Sequence, residues 1–332
     1  MFVHKYTNDT EFCLQQSNEA VTGADLYLKS ISQRQQNVNE KLRKQGNKKV
    51  HAEHLAEAYA TLGKHKKADR VFHCCDYIVI GENTDGKAKV IKAHYCKARL
   101  CPMCQKRLSS IKYRQLSNAL AQLETIQHYR YIHVILTVKN VTGDNLRLCL
   151  ESILKAYNKL IKKPAFIRSF AGAYRSLEIT YNEKAGTFHP HIHVLLPVTE
   201  AYFKHKNPLY FTQKRLCEIW QSALCDDYKP LTWITPDKKK QGDLKTELSK
   251  YVSKYEDYID LENPILTAEK VKYLDSALHG LRLHSFSGIL KKADKEFTAT
   301  DYTKGLVSEF TENKKCYKWV PKHQAYICFK DE

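Results

Sequence analysis

The sequence lacks any long apolar run. No segment approaches the roughly 18 consecutive apolar residues of a membrane helix, and Met1–Thr10 has no apolar core of signal-peptide type. Both absences predict a chain that stays in the cytoplasm, with no membrane partner. Carboxylates are scarce as well: Asp and Glu number 36 against 54 Lys and Arg, a formal charge of +18. That excess points to a polyanionic partner, nucleic acid first, rather than a small neutral substrate. Internal repeats and low-complexity linkers are missing too. What is present is enough apolar material for a core, 43% of 332 residues, in a chain long enough for two or three domains.

Eleven cysteines in a reducing compartment read as metal ligands where they cluster and as structural residues where they are isolated. Cys13, Cys149, Cys217, Cys225, Cys316 and Cys328 are isolated. Cys96, Cys101 and Cys104 form C-x4-C-P-x-C, and Cys74-Cys75 lie upstream across an expected hairpin. These thiols suffice for a tetrahedral zinc site. Cys75 is taken as the fourth ligand over Cys74, with His94 as a competing donor. Arg99, Lys106 and Arg107 beside the knuckle would meet DNA phosphates.

Residues 1–70 are polar and charge-dense with a helical pattern over His51–Arg70, predicting a helical, basic, partly mobile N-terminal arm. Residues 71–125 read as the cysteine-rich zinc module and DNA-binding region. Tyr131–Val138 is β-branched and apolar, hence a strand, and Thr142-Gly143-Asp144 would break it and cap a helix. In that helix Leu146, Leu150, Ile153, Tyr157 and Leu160 recur at three- and four-residue steps, one face against a sheet. Two further strands, about 174–181 and 188–197, flank the hairpin turn Asn182–Gly186. The order is β-α-β-β within an expected catalytic region, 126–262. Helices are predicted again at 212–224 and 243–258, and residues 263–332 mix helix and short strands that complete the fold.

Residues 188–196 read Phe-His-Pro-His-Ile-His-Val-Leu-Leu. Strand alternation projects His191 and His193 from one face, where two imidazoles can hold a divalent cation and leave room for a third ligand, a scissile phosphate and water. A hairpin centred on Lys184-Ala185 sets Glu178 opposite His191 as that third ligand. Around Glu247 the chain reads KTELSKYVSKYEDY; in a helix, Glu247, Tyr251 and Tyr255 share one stripe. A phenolate attacking a phosphodiester needs a cation and, later, a base for water. The histidines serve the first need and Glu247 the second, with Lys254 able to sit near the phosphate or lower the phenol's pKa.

Together these motifs resemble the HUH endonucleases, specifically the replication initiators of small Gram-positive rolling-circle plasmids. The segments that carry the resemblance are CKARLCPMCQKR at 96–107, LTVKNV at 136–141, the histidine strand and Glu247–Lys254, with GLRLHSFSG at 280–288 as a weaker fifth. The resemblance implies an α+β fold: a central antiparallel sheet of ferredoxin or RRM type with flanking helices. It implies that Tyr251 nicks origin DNA and becomes linked to the 5′ phosphate, that Glu247 activates water at termination, and that manganese or magnesium assists. A host helicase and the replication machinery would be partners, and a homodimer is an admissible assembly. Tyr255 departs from the single-tyrosine pattern. The rival readings are a relaxase or single-strand transposase with the same chemistry, and a non-catalytic zinc-dependent DNA-binding protein.

Overall fold

The computed structural model describes residues 23–204, 206–236, 241–249, 253–293 and 298–331. It opens with helices α1 (Gly23–Thr61) and α2 (His65–Phe72), followed by strands β1 (Tyr77–Glu82) and β2 (Ala88–Ala93) and helix α3 (Pro102–Ile126). Next come β3 (Arg130–Thr137), α4 (Gly143–Leu160), α5 (Pro164–Ser169), β4 (Gly172–Asn182) and β5 (Thr187–Val198). Then follow α6 (Gln213–Leu224), β6 (Thr232–Pro236), α7 (Gln241–Leu248), α8 (Tyr255–Tyr258) and α9 (Pro264–Leu278). The remainder is β7 (His284–Ser287), α10 (Gly288–Ala293), α11 (Ala299–Glu309), β8 (Glu312–Val320) and β9 (Ala325–Asp331). None of the described helices is long and apolar enough to cross a membrane.

Two antiparallel sheets organise this mixed α/β chain. The larger runs β6-β3-β5-β4-β7 and the smaller β2-β1-β8-β9. In β3, Ile132, Val134 and Leu136 alternate with Tyr131, His133 and Ile135, so period two sorts the strand into an apolar face and a mixed one. The apolar face joins Ile192, Val194 and Leu196 of β5 and the inner stripe of α4, Leu146, Leu150 and Ile153, in the main core. Trp220 of α6 closes it, its indole N–H donating to Thr137 O at 2.9 Å. The β-α-β-β order read from the sequence is present, as is its hairpin: Asn182 pairs Thr187 across a turn where Gly186 takes φ +61°. On the opposite face, Tyr131, Tyr174 and Leu195 pack against Leu116, Leu120 and Leu123 of α3 and Leu244 and Leu248 of α7.

Two elements differ from the sequence expectation and a third goes beyond it. The N-terminal segment, where described, is no loose arm: Ala52, Leu55 and Tyr59 of α1 are fully buried or nearly so in the main core, and Gly63 at φ +71° separates α1 from α2. The helix expected over 243–258 is broken. Its first part ends at Leu248, Ser249 donates to Lys245 O at 2.5 Å, and Lys254 is extended at φ −67°, ψ 133° before the short turn α8. Burial of Tyr255 and Tyr258 in the main core outweighs local helix preference there. Finally, the partner of the C-terminal strands, which the sequence left unassigned, is β1: β8 pairs it, Tyr77 against Lys318, so one sheet joins the strands beside the cysteines to the strands after residue 311.

β7 is the weaker fifth motif in structural form. Its residues pair β4 from Ala173 to Ser176, and Gly288 follows at φ +57°, where a β-carbon would meet Ala171 O at 2.0 Å. Only glycine fits that close approach.

Candidate active site and metal centre

β4 and β5 bring Glu178 opposite His191 and Ser176 opposite His193, the pairing expected from the hairpin centre. One donor atom from each of Glu178, His191 and His193 lies within 4.8 Å of the others. His193 Nε2 is 2.9 Å and His191 Nε2 3.4 Å from the same Glu178 carboxylate oxygen. Burial would raise the Glu178 pKa, but hydrogen bonds from His191 and His193 outweigh it and hold the carboxyl well below the usual range. A carboxylate kept ionised beside two imidazoles is a donor set that fits a divalent cation and leaves coordination positions over. His189 stands apart: its Nδ1 pairs with Asn140 Oδ1 at 2.8 Å.

Sequence reading missed the groups behind these three. His133 of β3 places Nε2 3.0 Å from His193 Nδ1, with the two rings stacked at 5.2 Å. His193 therefore has one nitrogen fixed by a neighbour and the other aimed at Glu178, which sets the ring's orientation. Tyr174, two pairs along β4 on the same face, bridges His284 Nδ1 at 2.9 Å and Leu248 O at 3.4 Å. Through this phenol the last turn of α7 is tied to the histidine face. Burial first, then Lys112, Arg175 and Arg99, lower the His284 pKa to about 3, so it is neutral. Asp257 of α8 is half-buried, and Glu178 is among the charges that act on it. The signal for His133 was its period-two place in YIHVILT, but no spacing within one strand reveals a partner on another.

Of the expected catalytic residues, Glu247 is half-buried on α7 and Lys254 is exposed ahead of α8. Tyr251 lies outside the described residues. Tyr255 is 9% exposed, its ring edge-on to His51 at 4.9 Å, and belongs to the main core.

The second metal-fitting group is Cys74, Cys96, Cys101 and Cys104, whose sulfurs all lie within 4.8 Å of one another. The fourth thiol is Cys74, not the expected Cys75. Cys75 takes φ +59°: its N–H donates to His94 O at 2.8 Å, its carbonyl accepts from Tyr326 at 2.7 Å, and its Sγ lies 3.8 Å from Cys74 Sγ. The His94 side chain is exposed. Cys74–Cys104 and Cys96–Cys104 separations are 3.7 and 3.5 Å, near the edge of about 3.8 Å that a Zn–S bond of about 2.3 Å gives a tetrahedron. Lys97 at φ +60° lets Ala98 N–H reach Cys96 Sγ at 3.4 Å, and Cys101 caps α3 ahead of Pro102. Arg99, beside this knuckle, donates to Leu281 O at 2.8 Å, whereas Lys106 is exposed and Arg107 lies over the Tyr95 ring at 4.5 Å.

Comparison with known proteins identifies the family. The family model described as "Replication protein" matches residues 87–327, a span holding both groups except Cys74. A "Protein rep" from Bacillus sp is 35% identical over 265 residues, 72% of this chain and 83% of its own length. One from Bacillus amyloliquefaciens is 33% identical over 80% of this chain and 85% of its own, and one from Streptococcus pneumoniae 30% identical over 76% and 78%. No solved structure matches. The chain therefore belongs to the replication-protein family of plasmid replication initiators.

Proposed function

We propose that the chain is a metal-dependent nickase that starts rolling-circle replication by cutting one strand of its origin, on a ferredoxin- or RRM-like fold of HUH endonuclease type. Initiators of this family are generally nicking endonucleases. The observation that carries the reading is the three-donor group Glu178, His191 and His193 on the same sheet face as the docked end of α7.

Glu178, His191 and His193 would hold manganese or magnesium, which supplies positive charge to the scissile phosphate. The Tyr251 phenolate oxygen attacks phosphorus. Its new P–O bond replaces the bond to the 3′ oxygen, which takes up a proton and leaves as a 3′ hydroxyl, while the 5′ phosphate stays on the tyrosine. In the terminating cleavage Glu247 accepts a proton from the attacking water, and Lys254 offers positive charge near the phosphate. Tyr251 is supported by its place in the sequence between Glu247 and Lys254, and by the burial of Tyr255, the rival nucleophile. The four cysteines would hold zinc as a structural element, and recruitment of a host helicase belongs to the same proposal.

The test is incubation with supercoiled DNA carrying its origin, with and without manganese, followed by adduct mapping by mass spectrometry. Metal-dependent nicked circles with an adduct on Tyr251 are expected, and Tyr251→Phe should bind DNA but leave it uncut. Undiminished cutting by that variant would remove Tyr251 as nucleophile, and binding without any nicking by the parent would remove the nickase.

A further inference from the structure

Two cavities, about 570 and 520 Å³, lie over adjacent faces of α3 and share Tyr95 and Arg107. No Asp or Glu is among the described residues that line either one. Lys41 of α1, Lys89 of β2 and Lys106 of α3 edge the first; Lys112 of α3 and Arg282 edge the second. A merely solvated basic surface interleaves both signs of charge. Here cations from different elements converge on one lining.

Some of the positive charge is already committed, as in the 2.6 Å ion pair of Arg114 with Glu309. Lys41 and Lys106 have no carboxylate within ion-pair distance among the described residues. Lys48 sits close behind them, its ammonium donating to Lys44 O at 2.6 Å. Burial, then repulsion from Lys106 and Lys41, pulls its pKa down to about 8, and burial with repulsion from Lys106 and Lys89 lowers Lys41 too. Like charges held together in this way are relieved by an anion between them.

The junction of the cavities is aromatic. Arg107 lies over the Tyr95 ring and donates to Thr303 Oγ1 at 3.1 Å, and Tyr113 and Tyr302 line the first cavity. Cations for phosphates beside flat faces for bases are the elements of single-strand recognition. The ends of the pair also matter. The first cavity is walled by Thr246 of α7 and by Ser249 just after it, and the second reaches His284, the partner of Tyr174.

We propose that the two cavities form one sequence-independent track for single-stranded DNA, its phosphates along the Lys41–Lys106 side, crossing α3 at the Tyr95–Arg107 stack and leading the strand to α7. This rests on the nickase reading, and its test needs no cutting.

The test is binding of fluorescein-labelled oligothymidine to the full chain without added manganese or magnesium, followed by anisotropy over a range of salt. Lys41→Gln/Lys106→Gln should weaken binding by roughly tenfold or more and flatten the slope of log affinity against log salt by about 1 to 2, since each phosphate contact releases about one counterion. Lys322→Gln/Lys330→Gln removes the same charge from exposed positions distant in sequence and should change both far less; thermal melts confirm that each variant folds. Equal losses in the two pairs would overturn the track and leave only net charge. So would a parent that nicks its origin in manganese yet does not hold oligothymidine, an outcome that spares the nickase. Tripolyphosphate that binds without displacing oligothymidine would assign the cavities to a free polyphosphate and overturn the track as well. A parent that holds oligothymidine through Lys41 and Lys106 but never nicks would keep the track and remove the nickase.

Discussion

The two metal-fitting groups differ in how they are closed. The cysteine group has four like donors, three of them buried, with backbone N–H groups donating to Cys74 and Cys96 sulfurs. The Glu178-His191-His193 group has three mixed donors, with His133 behind His193 and the His189 carbonyl 3.2 Å from His191 Nδ1. Four donors complete a tetrahedron and leave nothing for a substrate, whereas three leave positions for a phosphate and water. The first arrangement suits holding a fold together and the second suits chemistry.

The largest effect should come from the closed group. Cys101→Ala, or a strong chelator on the parent, should lower the melting temperature by on the order of 10 °C or unfold the chain, because metal binding at such a site is folding free energy. His191→Ala sharpens the contrast: it should cut manganese-dependent nicking by at least about 100-fold while moving the melt by about 3 °C or less. If both variants lost stability alike, the division between structural and reactive groups would break. His133→Phe should weaken manganese binding by about 10- to 100-fold, with nicking restored by excess metal; a loss that metal does not rescue would show that His133 does more than orient His193.

The smallest effect concerns the rim of the open group. His284 has a folded pKa of about 3 against about 6.5 for a free histidine. Its neutral form is the one the fold favours, so its contribution is fully present above about pH 6.5 and is lost as pH falls toward 3. Melts of His284→Gln across pH 4–7 should therefore be flatter than those of the parent. A parallel pair of curves would mean that His284 titrates freely.

Local periodicity made part of this legible. The β4–β5 hairpin could be placed because its turn and its alternation agree, and that alone set Glu178 against His191. The α4 stripe was readable for the same reason. What failed depended on the backbone at single residues or on distant partners. The left-handed turn at Cys75, which leaves Cys74 as the fourth thiol, has no glycine to announce it. The break between α7 and α8 follows from the burial of Tyr255 and Tyr258 in the main core, which no window around residue 250 contains. His133 needed the β3–β5 register, and the β1–β8 pairing joins segments more than two hundred residues apart.

That last pairing bears on how the molecule comes into being. Strand β1, next to Cys74, is flanked on one side by β8, and Tyr326 of β9 holds the carbonyl of Cys75. A growing chain acquires the four clustered thiols by residue 104, but the wall that steadies them arrives only with the strands after residue 311. The cluster is therefore finished late in synthesis, and a copy interrupted before β8 lacks the frame around its metal-fitting cysteines even though every donor is already in place.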